Sequence, residues 1–136
     1  MFKSIKTSEA NRKVVTELTS NLGMGPENLI ARIALTYSIA QGRKLSLTDI
    51  EDSRGKEYSS RVLFGEHEAL YIALICQHYG LHKTDYDVPS YIKLHVDDGL
   101  ELISEVIRTN RNLPLFDFIL DQIECGLTVS AATAKD

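Results

Sequence analysis

The pattern of hydrophobic and polar positions changes at Ser8. In residues 2–7 the two classes alternate, which is typical of a short β-strand whose successive side chains point to opposite faces. From Ala10 to Leu22 apolar residues recur every three or four positions, the spacing of an amphipathic helix, and Ser8 is a favourable N-cap for it. The chain is therefore predicted to begin with a strand followed directly by a helix.

A glycine-containing turn separates this helix from a second one. In the segment GMGPEN, Gly23 and Gly25 can adopt positive φ, and Pro26 suits the first position of the next helix. Apolar residues then keep a helical spacing until Gly42. Residues 1–42 are thus predicted to form a strand-helix-turn-helix unit.

The next segment, residues 43–64, is a polar connection with little apolar content. A connection of roughly 20 residues in a compact domain is usually functional or mobile. Residues 69–76 are apolar on all sides, which predicts a central helix buried by its neighbours.

The remaining pattern predicts two more helices, within residues 90–110 and 113–126. Gly99 would allow close packing of the first, and Gly126 would end the second. The predicted fold class is mainly α, with a short N-terminal strand followed by about five helices. We expect residues 1–127 to form a single domain and residues 128–136 to form a flexible tail.

Length and composition limit the classes of protein to consider. A chain of 136 residues suits one domain with a real core. There is no apolar run long enough to cross a bilayer and no charged-then-apolar leader, so we expect a cytoplasmic protein. Cys76 and Cys125 both fall in apolar helical patterns, which favours reduced core residues over a disulfide.

The net charge of -4 conceals an asymmetry along the chain. Residues 1–44 carry seven basic and three acidic side chains, whereas residues 45–136 carry eight basic and sixteen acidic ones. A basic N-terminal third on an acidic body indicates one side that faces a polyanion and another that faces a protein partner. The alternative is that the asymmetry reflects only solvated helix faces with unbalanced charge and no binding role.

Support for catalysis or metal binding is weak. Cys76, His78 and His82 have a ligand-like spacing, but Gly80 interrupts the helix that would align the two histidines. No phosphate-binding loop, dinucleotide glycine pattern or serine nucleophile elbow is present. We therefore predict a protein that is not an enzyme and has no catalytic residue, metal or cofactor.

The order of strand, helix, glycine turn and helix is that of a ribbon-helix-helix unit, in which two chains pair their strands and place side chains against DNA. A lone strand leaves backbone groups unpaired, so pairing with a second copy would give a homo-oligomer. The alternative is that the strand pairs elsewhere in its own chain.

One stretch, DSRGKEYSSRVLFGEHEALYIALI at residues 52–75, resembles the DNA sulfur modification protein DndE family. The most specific part is the order Asp52, Gly55, Glu57 and then LFGEHEALY at residues 63–71; the segments ENLIARIALTYSIAQG and LHVDDGLELI extend the resemblance over most of residues 2–123. It implies a small helical protein, tetrameric, that binds duplex DNA, nicked duplex included, in the bacterial phosphorothioation system. In that system the sulfur chemistry and the ATPase work belong to partner proteins.

The resemblance has a departure at Asp97 and Asp98, where the family commonly has a polar-basic pair. Adjacent residues on a helix point in different directions, which favours a solvated face over a catalytic carboxylate pair. As acids, these two residues are not expected to contact phosphate.

We therefore expect a DNA-binding accessory component of phosphorothioation, acting as a homo-oligomer together with the other proteins of that system. Its predicted DNA contacts are the basic residues Lys3, Lys6, Arg12, Lys13, Arg43 and Lys44, which would neutralise phosphates without reading bases. The alternatives are a ribbon-helix-helix transcription regulator and a protein-only interaction subunit.

Overall fold

A computed structural model describes the backbone of residues 2–23, 25–110 and 114–135 and the side chains of these ranges as far as residue 128. The described part contains two short strands, β1 (Ser4–Lys6) and β2 (Glu57–Ser59), and the helices α1 (Glu9–Leu22), α2 (Glu27–Ala40), α3 (Ser60–Phe64), α4 (Glu68–Tyr79), α5 (Val88–Thr109) and α6 (Leu115–Lys135). Single 3-10 turns occur at Leu47–Asp49 and Gly65–His67. The predicted fold class, mainly α with a short N-terminal strand, is confirmed.

The N-terminal strand pairs within its own chain. β1 runs antiparallel to β2, with Ile5 opposite Tyr58, and both of these side chains are buried. The prediction that β1 pairs with a second copy, as in a ribbon-helix-helix unit, is therefore wrong, and a regulator of that type loses its structural basis. Sequence periodicity missed β2 because three residues are too few to show an alternating pattern.

The connection at residues 43–64 is structured rather than a long loop. Besides β2 and α3 it holds a 3-10 turn, in which the Ser46 side chain accepts from the backbone N–H of Thr48 and Asp49 accepts from that of Ser46. Each element is only three to five residues long, so hydrophobic periodicity could not reveal it.

Two helices, α2 and α5, form the centre of the molecule. At Gly99 on α5 an added Cβ would lie 1.8 Å from the carbonyl oxygen of Ala34 on α2, so the close contact expected at Gly99 is confirmed. The α5 residues Ile92, Val96 and Leu100 are fully or almost fully buried beside this contact. The apolar stripe of α5 thus lies at the centre of a core to which the other elements also contribute.

Helix α4 lies at the surface rather than at the centre. Only Ile72 and Ile75 are buried in it, and Leu70 is 58% exposed. The prediction of a helix buried by its neighbours is therefore wrong, because the fold covers one face of α4 and leaves the opposite apolar face open.

The last helix is longer than predicted and carries little of the core. α6 continues through Gly126 to Lys135, where a flexible tail was expected; an interior glycine costs only about 1 kcal/mol, and the alanines that follow favour a helix. Leu115 and Phe118 are buried, but Cys125 is exposed, contrary to the core position predicted for it. Residue 113, where this helix was predicted to begin, and the final residue lie outside the described ranges.

The turn between α1 and α2 uses its glycines as predicted. Gly23 has φ 72° and Gly25 has φ 79°, values that other residues rarely adopt. Pro26 stands as the N-cap of α2 and not as its first helical residue.

Candidate nucleic-acid interface

The start of α1 is held by an aspartate from α5. The carboxylate of Asp97 accepts from the backbone N–H of Ser8 at 3.0 Å and from the side-chain amide of Asn11 at 2.8 Å. It also pairs with the ammonium group of Lys93 at 2.8 Å, and Lys93 is buried. Asp97 therefore neutralises a buried cation and caps α1, so the prediction that it belongs to a solvated face is wrong.

The loop at residues 52–57 is tied to the same end of α1. Asp52 accepts from the backbone N–H groups of Glu9 at 2.8 Å and of Arg54 at 3.0 Å, and these bonds, the one from Glu9 first, lower the pKa of the Asp52 carboxyl. Gly55 lies so close that an added Cβ would be 2.3 Å from the Ser8 carbonyl oxygen. Asp52 and Gly55, two of the residues that carry the family resemblance, therefore hold this loop against the start of α1.

This arrangement brings four basic residues to one region, which we call the N-terminal basic cluster: Lys6, Arg12, Arg54 and Lys56. Lys6 ends β1, and the Arg12 guanidinium donates to the carbonyl oxygens of Arg54 at 3.1 Å and Gly55 at 3.0 Å. Thr7, next to Lys6, donates its backbone N–H to the carbonyl of Lys56.

The cations of the cluster differ in how far they are neutralised. Arg54 pairs with Glu9 at 3.4 Å, and Lys56 pairs with Glu27 at 2.7 Å. Within the described residues no carboxylate lies within 4 Å of the charged groups of Lys6 or Arg12. These two are therefore the members with most charge available to a phosphate.

The other residues predicted to contact DNA are not members of the N-terminal basic cluster. Lys3 lines a groove beside α4, and Lys13 is exposed on α1, where it pairs with Glu17 at 3.7 Å. Arg43 pairs with Asp98 at 2.8 Å, while Lys44 donates to the carbonyl of His78. The six residues do not form a single surface.

An acidic groove of about 210 Å³ separates the start of α1 from Arg43. Its acidic lining consists of Asp49, Glu51, Asp97, Asp98 and Glu101. Burial raises the pKa of the Glu101 carboxyl, and the negative charges of Glu51, Asp97 and Asp98 add to this effect. A phosphate group is therefore disfavoured between the N-terminal basic cluster and Arg43.

A buried hydrogen-bonded chain lies behind Arg43 and joins α2, α4 and α5. The Ser38 hydroxyl bonds the carboxylate of Asp98 at 2.6 Å and Nδ1 of His95 at 2.8 Å, and the Tyr79 hydroxyl lies 2.6 Å from Nε2 of His95. A carboxylate can only accept, so Ser38 donates to Asp98 and accepts from Nδ1–H. Nε2 is then free to accept from Tyr79.

This direction of donation requires a neutral His95. Burial lowers its pKa to about 4, with the neighbouring His78 as the second cause. Ser38 is fully buried and its partner carboxylate binds the serine instead of the histidine, so the three residues are a structural network rather than a nucleophilic triad. Sequence reasoning missed it because Ser38 and His95 are 57 positions apart.

Among the residues that the structure describes, no three histidine, cysteine, aspartate or glutamate side chains are grouped to hold a metal ion. Within the same ranges, none of the helices combines the length and the apolar character needed to cross a membrane.

The basic cluster, the loop at 52–57 and the α2–α5 contact all fall within residues 4–111, the range matched by the family model for DNA sulphur modification protein DndE. The chain belongs to the DndE family. Its fold is similar to the crystal structure of DndE from Escherichia coli B7A, a protein involved in DNA phosphorothioation modification. That likeness has a TM-score of 0.60 at 17% sequence identity and covers 74% of this chain and 96% of the E. coli chain. No curated protein matches the sequence. Helix α6 lies beyond the end of the DndE family match.

Proposed function

We propose that this DndE-family protein is a non-catalytic, cytoplasmic accessory of DNA phosphorothioation that binds duplex DNA, nicked duplex included, as a homo-oligomer. The observation that carries the proposal is the family match over residues 4–111. The E. coli relative is involved in the same modification, which supports a role beside the other proteins of such a system.

The DNA surface we propose is the N-terminal basic cluster, with Lys6 and Arg12 as its principal contacts. Both side chains are exposed, and both lack a carboxylate partner among the described residues. Their cations would neutralise phosphates and release condensed counterions, an interaction that does not depend on base sequence. Of the six residues predicted from sequence, Lys3, Lys13, Arg43 and Lys44 are then secondary.

A homo-oligomer, a tetramer by the family resemblance, strengthens such a surface. One copy offers few unpaired cations against a net charge of -4. Several copies on one duplex multiply the phosphate contacts, and each contact adds to the salt dependence of binding.

The test is duplex binding measured at several salt concentrations. Lys6→Gln removes a charge from an exposed side chain, and Arg12→Gln removes a charge from a side chain that also donates to the carbonyls of Arg54 and Gly55. Each variant should weaken binding equally for unrelated sequences and reduce the slope of log affinity against log salt by about 0.9 per lost contact and per copy.

The matched control is Arg108→Gln, at the exposed end of α5, which should leave both affinity and slope unchanged. Circular dichroism establishes that all three variants remain folded. A wild-type protein that does not bind duplex DNA at low salt, or slopes that neither Lys6→Gln nor Arg12→Gln alters, would refute the proposed surface.

The acidic groove favours a second candidate, the protein-only interaction subunit. Asp49, Glu51 and Glu101 make no ion pair among the described residues, and three such carboxylates suit a basic segment of a partner protein better than DNA. Substitution of Glu51 and Glu101 by glutamine would then abolish binding to the partner while DNA remained unbound by the wild-type protein.

A further inference from the structure

A face of α4 that includes the buried Ile72 forms one wall of a groove of about 1120 Å³. Its apolar lining comes from Phe2 at the start of the chain, from Ile72, Ala73 and Cys76 on α4, and from Val88 at the start of α5. Lys3 and Lys83 lie at its rim, are exposed, and make no ion pair within the described residues. Asp85, the one acidic residue in the groove lining among the described residues, already accepts from the backbone N–H of Asp87.

Helix α6 has an exposed apolar stripe with an acidic edge, and the charge of that edge is complementary to the lysines at the groove rim. The stripe consists of Phe116, Leu120, Ile123 and Leu127, whose exposure runs from 43% for Leu120 to 66% for Leu127. Their spacing of four, three and four residues places all four side chains on one narrow face of the helix. By the same helical geometry Asp117, Asp121 and Glu124 all flank one edge of the stripe, while Leu115 and Phe118 turn toward the body.

The stripe and the groove do not meet within one copy. No α6 residue as far as Thr128 lines the groove, and α6 follows the C-terminal end of α5 while the groove lies at the N-terminal end. A 22-residue helix such as α5 separates these two ends by about 33 Å. Each copy therefore has an exposed apolar stripe on α6 and an apolar groove beside α4, and the two are not in contact within that copy.

We propose that the apolar stripe of α6 packs into the α4 groove of a second copy, and that the exchange is reciprocal. Burial of four apolar side chains drives the association, and the acidic edge of α6 meets the lysines at the groove rim. Reciprocity closes the contact into a two-fold dimer, whereas one-way insertion would leave a free helix and a free groove and would propagate. The interface uses α6, outside the DndE family match, and it depends on the proposed function only in that both require self-association.

The test compares the sedimenting mass of the full chain with those of glutamate variants. Leu120→Glu on the stripe and Ala73→Glu in the groove should each weaken the contact by about 30-fold or more in Kd and leave an assembly of half the wild-type mass at micromolar concentration. Both positions are exposed in one copy, so the variants should fold.

Each variant has a control that introduces the same charge on the same helix. Gln122→Glu lies off the stripe of α6, and Leu70→Glu lies on α4 outside the groove lining, so both should keep the wild-type mass. A mixture of Leu120→Glu and Ala73→Glu chains should associate, because one intact stripe then meets one intact groove.

Three results would overturn the proposal. The first is a monomeric wild type. The second is an Ala73→Glu variant that keeps the wild-type mass, as expected if stripes pair with stripes or with another protein. The third is a mixture that does not associate. These outcomes concern mass alone, so they are distinguishable from failure of the proposed function, which is a wild-type protein that binds no DNA whatever its mass.

Discussion

At the scale of single residues, His95 couples the fold to pH. Its buried ring faces Tyr79, Ser38 and His78 directly, with Asp98 and Arg43 next in the network. The folded-state pKa of about 4 lies below the usual 6.5, so between these values the unfolded chain binds a proton that the folded protein does not. The stabilisation that comes from keeping His95 neutral is therefore fully present above pH 6.5 and is lost as the pH falls toward 4.

We therefore expect the free energy of unfolding to decrease more on acidification in the wild type than in His95→Gln. Between pH 6.5 and 4 the difference between the two decreases should be on the order of 3 kcal/mol. Urea unfolding at a series of pH values measures this difference. His67→Gln, at an exposed position, is the control and should follow the wild-type pH dependence. Parallel curves for the wild type and His95→Gln would show that His95 is not held neutral.

At the scale of secondary-structure elements, the Asp97 carboxylate joins α1 to α5. Asp97→Ala leaves the buried Lys93 ammonium unpaired and removes the acceptor for Ser8, so it should lower the free energy of unfolding by about 3–5 kcal/mol. Adding Lys93→Met removes the stranded charge and should restore part of that loss, again measured by urea unfolding.

An exposed pair of the same spacing serves as the control for this prediction. Lys13 and Glu17 are also four residues apart but exposed, so Glu17→Ala should change the unfolding free energy by no more than about 0.5 kcal/mol. If Asp97→Ala proved equally mild, or if Lys93→Met added to its cost, the buried pair would not be what holds α1 against α5.

The same elements show what the sequence could predict and what it could not. The helices with a strong apolar stripe, α1 and α5, were located from periodicity alone, and Gly99 was identified as a close contact because few other roles suit a glycine within a helix. β2 was missed because three residues have no measurable period. The open face of α4 was missed because periodicity reports that residues are apolar and not whether a neighbour covers them.

The candidate site was harder to predict from the sequence than the fold, because tertiary contacts bring its residues together. Lys6 and Arg12 were found as members of a basic segment, but Arg54 and Lys56 join them only through the loop that Asp52 and Gly55 hold against α1. Arg43 was predicted as a phosphate contact, yet its partner Asp98 lies 55 positions away in the sequence. Charge counts along a chain cannot show such pairings.

At the scale of the whole molecule, the two proposals use different surfaces. The N-terminal basic cluster lies at the start of α1, whereas the dimer contact uses α6 and the groove beside α4. Lys3 lines that groove, so it belongs to the proposed dimer contact more than to the DNA surface. DNA binding and self-association can therefore be altered by different substitutions.

This separation gives the last prediction, which concerns how assembly size sets DNA affinity. Leu120→Glu leaves Lys6 and Arg12 in place but should halve the number of copies in each assembly. If all copies of an assembly contact one duplex, the slope of log affinity against log salt, about 0.9 per phosphate contact, should fall to about half the wild-type value, and the affinity should fall with it. Lys6→Gln should instead reduce the slope while the sedimenting mass stays constant. Gln122→Glu adds the same negative charge to the same helix as Leu120→Glu but lies off the apolar stripe, so it should alter neither quantity. A dissociated Leu120→Glu protein that keeps the full wild-type slope would mean that a smaller assembly already makes every phosphate contact, and self-association would then serve some purpose other than DNA affinity.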